Sequence, residues 1–319
     1  MPETRSLPFL LALAALLAVL SAVWVFQGLP EAGRPFILKL RLVKLGGLIT
    51  IGAAVAVATM LFQTVAANRV LTPSIMGFDA LYVLLQTALV ASLGITGFVT
   101  LPATGKFLAE IAILCLLATT LFSTLLANGA RDIARMILTG VILGVLFRSL
   151  SGFLSRIIDP NTYAVVQSMQ FASFNTINAE LLPWAAALSA LAIAFAWLIG
   201  PRLDVLALGR ASAIALGLRY ERNVVLSLAL VSLLVAVSTA LVGPVAFFGL
   251  IVAGLTHGLT KTARHRTMLP AAALIAAIIL VGGQFLFERV LGQQATLSVV
   301  VEFAGGLFFL YLLIRGKMR

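Results

Sequence analysis

Charge is what this sequence has least of. Only 10% of its 319 residues are Asp, Glu, Lys or Arg, 61% are hydrophobic, and the mean hydropathy is +1.12. That balance excludes a water-soluble globular chain, which could not hide so much apolar surface. A lone cysteine, Cys115, sits in an apolar run and excludes an intrachain disulfide framework. Catalytic signatures are missing too. Gly105-Lys106 is followed by Phe107, and Thr100 stands where the first glycine of a phosphate loop belongs. His257 and His265 are eight apart with no glutamate between them, so there is no H-E-x-x-H, and no G-x-S-x-G elbow occurs. The sequence therefore shows no catalytic centre, resident metal, cofactor or energy source of its own.

What is present is long, continuous apolar runs. A crossing needs about 20 apolar residues to span a hydrocarbon core of about 30 Å. Backbone amides in lipid must be satisfied internally, and runs that do not alternate select helices over a barrel. Crossings are predicted near 7–27, 42–66, 75–99, 106–126, 135–155, 182–200, 223–243, 245–259, 268–288 and 296–314. These runs predict an all-α fold class, a polytopic transmembrane bundle of about ten helices forming one transmembrane domain over 1–319. The first run reads as a retained helix and not a cleaved signal, because it lacks a small-x-small site.

The net charge of +11 would suggest nucleic acid in a soluble protein; here it is membrane topology. Basic residues cluster in 201–222 (Arg202, Arg210, Arg219, Arg222), at Lys261, Arg264 and Arg266, and at Arg315, Lys317 and Arg319. Ten crossings put these clusters and both termini on one side, which the positive-inside rule makes cytoplasmic. Arg34, Lys39, Arg41 and Lys44 then fall outside, against the rule.

Apolar helix 42–66 breaks at Thr72-Pro73 and restarts at Ile75-Met76-Gly77; helix 223–242 breaks at Gly243-Pro244 and restarts at Phe247-Phe248-Gly249. Five crossings separate the two units, so they run oppositely: an inverted repeat, with paired broken helices near a transport pathway. Chance placement of Pro and Gly is the alternative. Gly140-Val141-Ile142-Leu143-Gly144 is a small-xxx-small pattern that allows close helix approach, read as packing within the chain.

The segment Leu203–Leu218 is amphipathic and punctuated by Gly209 and Gly217, which can end short helices at positive φ. Two short helices would form a knob below the membrane; an amphipathic helix lying on lipid is the other reading. This segment resembles the coupling loop of the type II ABC importer permeases, which take up ferric siderophores, haem and cobalamin. Other stretches agree in order. Gln63 and Asn68-Arg69-Val70-Leu71-Thr72-Pro73 with Gly77 resemble the family's Q…N-P-L-x-x-P…G. Val242-Gly243-Pro244-Val245-Ala246-Phe247-Phe248-Gly249-Leu250 resembles G-x-I-x-F-V-G-L, and Gly305-Gly306-Leu307-Phe308-Phe309-Leu310 resembles G-x-P-F-F-L. Arg69 and Leu307 replace family prolines, and Ala253-Gly254-Leu255-Thr256-His257 departs from P-H-x-x-R. Ile158-Asp159-Pro160-Asn161, Phe171-Ala172-Ser173-Phe174-Asn175 and Val301-Glu302-Phe303-Ala304-Gly305-Gly306 look like the siderophore branch.

The resemblance implies a permease in the bacterial cytoplasmic (inner) membrane that moves a ferric siderophore from a periplasmic or surface-anchored binding protein. Its implied partners are two ATP-binding-cassette ATPase subunits and a second permease, a heterodimer being favoured. ATPase coupling is assigned to Leu206, Leu208, Gly209, Ala211, Ala215, Leu216 and Gly217. The family's fifth and tenth helices line the pathway, which selects Arg148 and Glu302; these two could instead pair structurally. Arg41-Leu42-Val43-Lys44 resembles an R-L-P-R stretch that receives acids of the binding protein, with Arg289 joining it. Snorkelling to lipid phosphates is the alternative for these cations. An ion-coupled secondary transporter is the competing function, but it has no need of the 203–218 knob.

Overall fold

A computed structural model describes residues 6–29, 31, 33–127, 133–260, 262–289 and 297–314. The described chain is helical. Its helices are α1 (Ser6–Phe26), α2 (Arg34–Ala66), α3 (Phe78–Thr100), α4 (Ala103–Ala127), α5 (Ile133–Ser155), α6 (Pro160–Ser168), α7 (Leu182–Leu198), α8 (Gly200–Leu206), α9 (Arg210–Ala215), α10 (Tyr220–Val242), α11 (Phe248–Leu259), α12 (His265–Arg289) and α13 (Leu297–Ile314).

Each of the ten expected crossings falls on an apolar helix. Seven helices are long and apolar enough to span alone: α1, α2, α3, α4, α5, α10 and α12. Helix α7 continues into α8 through a 62° bend as an eighth, while α11 and α13 are shorter apolar helices. The 12 residues of α11 reach only about 18 Å, less than a bilayer core. It follows a left-handed residue, Phe247 (φ 57), so α11 is the helical part of the short eighth crossing and the break at 243–247 makes up the rest.

Two boundaries differ from expectation. Helix α2 begins at Arg34 with Pro35 in its first turn, eight residues before the apolar run starts. The four unexpected cations therefore ride on a helix. Helix α6 occupies part of what reads as a polar loop; the Asp159 carboxylate caps it by accepting from the Thr162 amide at 3.2 Å.

Lipid supplies no hydrophobic drive between helices, so close packing must hold them together. Helices α2, α10 and α12 form the buried centre, and small residues bring their backbones close: Ala54, Ala56, Ala58, Ala271, Ala272 and Ala276 are at most 1% exposed. A Cβ on Gly52 would stand 3.2 Å from the Ala276 backbone.

The packing repeats between the two halves. Helix α2 lies along α12 as α10 lies along α4, and α2 and α10 lie along each other. Helix α3 packs on α5 as α11 packs on α13. The breaks repeat as well. The first passes through a 3-10 turn, Pro73–Met76, and sits against α5, where a Cβ on Gly77 would be 2.7 Å from the Gly144 Cα and one on Gly140 would be 2.6 Å from the Met76 Cε. The second sits against α13, where a Cβ on Gly305 would be 2.4 Å from the Phe247 Cβ. The Gly140–Gly144 pattern is thus used within the chain.

Candidate functional site

Helices α2 and α12 carry a polar cluster at each end. From Lys44 to Thr64 along α2 is about 30 Å at 1.5 Å per residue, the thickness of a hydrocarbon core. The two clusters therefore face opposite sides of a membrane.

At the Lys44 end is a pocket of 440 Å³ lined by Trp24, Arg41, Lys44, Asn175, Glu288 and Arg289 among others. All three cations expected from sequence to dock a partner meet here, although Arg289 is distant in the chain. Their charges are already engaged. Lys44 Nζ forms an ion pair with Glu288 Oε1 and donates to Asn175 Oδ1 at 2.6 Å. Glu288 also accepts from Trp24 Nε1 and Gln284 Nε2, both at 2.9 Å. The Arg41 guanidinium donates to the carbonyls of Val25 (2.6 Å), Gln27 (3.0 Å) and Gly28 (3.2 Å), closing the end of α1. Arg289 Nη2 reaches the Gln27 carbonyl at 2.7 Å. Sequence reading missed Glu288, Trp24, Gln284 and Asn175 as a unit. A carboxylate near the end of an otherwise apolar helix was the available signal.

At the Thr64 end, α8 and α9 form the expected knob, with Gly209 at φ 87 and Gly217 at φ 81 closing its two short helices. Leu203 and Leu206 are 1% and 2% exposed and anchor the knob to the bundle. Leu206 therefore faces inward, because α8 turns Gly200, Leu203 and Leu206 onto α12, α10 and α2. Leu208, Ala211, Ala215, Leu216 and Gly217 face out. With Leu208 59%, Ile214 45% and Leu216 64% exposed, they make an apolar surface.

The knob is tied down by side chains that sequence reading did not connect. Asp204 Oδ1 accepts from the His265 amide at 2.8 Å and contacts its Nδ1 at 2.6 Å. His265 Nε2 meets Thr64 Oγ1 at 2.7 Å, and Thr64 Oγ1 lies 2.8 Å from the Met60 carbonyl of α2. One chain of contacts thus runs from α8 through the start of α12 to the end of α2. Arg210 and Glu221 join α9 to α10 at 2.8 Å.

Between the two ends lie the expected pathway residues. Arg148 on α5 is exposed and Glu302 on α13 is half-buried. Among the described residues they do not form an ion pair with each other. Asp79, in the first turn of α3 next to the break, is within electrostatic reach of both. The outer faces of α5 and α13 are apolar: Ile142, Leu146 and Phe153 on one and Phe303, Leu307 and Leu310 on the other are more than half exposed.

Known proteins resemble the whole chain. The FecCD transport family matches residues 6–315. The petrobactin import system permease protein YclO of Bacillus subtilis (strain 168) is 40% identical over 280 residues, 88% of this chain and 89% of that protein. The petrobactin import system permease protein FatC of Bacillus anthracis is 29% identical over 281 residues, 88% of this chain and 79% of that protein. An inward-facing structure of a metal-chelate type ABC transporter aligns with a TM-score of 0.82 at 23% identity, over 97% of this chain and 99% of that one, which establishes likeness of fold. The chain belongs to the FecCD transport family: it is a membrane permease of an ATP-binding-cassette importer, a transport subunit and not an enzyme.

Proposed function

We propose that this chain is the single-domain permease through which an iron chelate crosses the bacterial cytoplasmic membrane, both chain termini and the knob lying on the cytoplasmic side. The observation that carries this reading is the α8–α9 knob, which presents Leu208, Ile214 and Leu216 to solvent while Asp204 holds it rigidly to His265. A rigid apolar projection on the far side from a polar mouth is what an ATPase groove would grip. One of the importer's two ATPase subunits docks there, the other being left to the second permease. The binding protein docks over the 440 Å³ pocket at the opposite face, where Lys44, Arg41 and Arg289 are gathered. A second, different permease packs along the exposed apolar faces of α5 and α13, and Arg148 and Glu302 line the conduit between the two. Petrobactin permeases are the relatives matched at 40% and 29% identity, so ferric petrobactin is the first cargo to test.

An ion-coupled transporter would leave the knob without a use. The deciding experiment is copurification and uptake. Ala215→Glu puts a charge into the outward face without touching the core, and Gly217→Pro forces a ring where φ is 81. Either variant is expected to insert normally and to lose the ATPase and iron-chelate uptake together. Retention of both at wild-type level would sink the assignment.

A further inference from the structure

Arg202, Arg219 and Arg222 gather at one groove of 650 Å³ between α7, α8 and α10. Arg219 is the N-cap of α10 and Arg222 lies in its first turn, the pole of a helix that disfavours cations. The acid of that turn, Glu221, is engaged by Arg210. Among the described residues none of the three guanidiniums has a carboxylate partner. All three are exposed and so solvated, but three cations without an acidic partner around one concavity give an anion from outside the chain several contacts at once.

The rest of the groove says which kind. Beyond Asn223 its wall is apolar, made by Phe195 of α7 and by Val225, Leu226 and Ala229 along α10, while Gly217 and Leu218 at its rim border the knob. At the same level of α7, on the face turned from the groove, Trp197 donates its indole N–H to the Arg266 carbonyl at 3.1 Å, and the Arg266 guanidinium lies 5.4 Å from the indole ring centre. A tryptophan and arginines at one level, with an apolar wall leading away from them, is the composition of a membrane–water boundary. A soluble phosphate would use the cations and leave the wall bare, whereas a phospholipid uses both.

We propose that this groove binds an anionic phospholipid, its phosphodiester oxygens held by Arg219, Arg222 and Arg202 and one acyl chain lying on Leu226, Ala229 and Phe195. Guanidinium forks suit phosphate oxygens, and basic pockets between membrane helices take such headgroups. The site would hold α7, α8 and α10 together at the root of the knob.

The test uses the full permease purified with its ATPase in mixed micelles containing phosphatidylglycerol and phosphatidylethanolamine, the retained lipid being counted by native mass spectrometry. The wild type is expected to keep phosphatidylglycerol in preference to phosphatidylethanolamine. Arg219→Gln with Arg222→Gln should weaken that retention by about fivefold for each charge removed, and Arg219→Lys with Arg222→Lys should keep most of it. Added inorganic phosphate should not displace the lipid. No lipid preference in the wild type would overturn the proposal, even if the glutamine variant fails to fold. Displacement by inorganic phosphate alone would make this a free-anion site and overturn it. So would a glutamine variant that keeps the lipid but loses the ATPase, because the arginines would then be protein contacts.

Discussion

Removing the Glu288 carboxylate is expected to destabilise the permease at the end of α2 and α12 that carries the pocket. Glu288 receives Lys44, Trp24 and Gln284, and the side chains of Lys44 and Glu288 are only 17% and 18% exposed. Breaking a fully buried pair costs about 3–5 kcal/mol, while an exposed pair is worth about 0–1. At this partial exposure Glu288→Ala should cost about 2–3 kcal/mol, most of it from leaving the Lys44 ammonium with Asn175 alone. For a chain of this length that is an apparent Tm lower by roughly 3–4 °C, read by thermal unfolding of the purified permease at a fixed scan rate. The double variant Lys44→Met with Glu288→Met removes both charges and should recover most of the loss, since an apolar pair of similar volume can replace a buried ion pair. If Lys44 also docks the binding protein, the double variant stays stable but delivers cargo slowly, which separates a structural role from a docking role. A single variant within about 1 °C of wild type would refute the reasoning.

Other outcomes follow from the same geometry. His265→Ala removes the link between Asp204 and Thr64, so the complex should still hydrolyse ATP while cargo uptake per ATP falls several-fold; unchanged coupling would remove the link from the mechanism. Gly305→Leu drives a side chain into Phe247, whose Cβ stands 2.4 Å from the position of an added Cβ, and should cost about 1–3 kcal/mol in thermal unfolding. Gly306→Leu, with nothing within 4 Å, should be tolerated far better in the same assay. Arg41→Glu with Arg289→Glu should slow delivery from the binding protein most steeply at low salt, because rim charges act chiefly on encounter. Arg289→Glu alone should do so with little loss of stability, since Arg41 is the residue that closes α1 through several carbonyls. Uptake kinetics against salt concentration check both.

The bundle was legible because lipid leaves few choices. Continuous apolar runs must become helices, and the breaks at Pro73 and Pro244 were visible as punctuation within them. The start of α2 was not legible, since Arg34 to Lys44 lack the apolar run that marked every other crossing, and only the structure shows that their charges turn back onto α1 and α12. The knob could be read from Gly209 and Gly217 because a left-handed residue at a helix end favours glycine. Its inward face could not: whether Leu206 or Leu208 points out depends on how α8 lies on α12. The polar clusters were half legible. Arg41 and Lys44 share a local pattern, but Glu288, Asn175 and Trp24 come from three distant segments, and nothing in sequence spacing announces that they meet. Asp79 stayed hidden for the same reason, and so did the contact between Asp204 and His265.

The arrangement of ties suggests which parts move together during transport. Helices α2 and α12 are clamped at one end by Lys44 and Glu288 and at the other by Thr64 and His265, with small residues packed between the clamps. Such a pair resists internal shear, so a displacement of α8 transmitted through Asp204 would carry the pair as one strut across the membrane. Helices α5 and α13 are held differently. Their contacts to the breaks run through Gly140, Gly144 and Gly305, and their other faces are exposed and apolar. At these glycines the side chains of Met76 and Phe247 fit closely against α5 and α13, so each wall is keyed to its own break. The conduit walls of the proposed function touch the strut little directly, α13 meeting α12 at a few places and α5 resting on α3, and are the elements expected to shift against it. The two clamp variants bear on this differently: loss of the His265 ring should cut the knob's link to α2 while Asp204 keeps its bond to the backbone amide at 265, whereas loss of Glu288 should loosen the opposite end of the strut. If both variants fail in the same way, at the level of folding alone, the division into strut and wall is wrong.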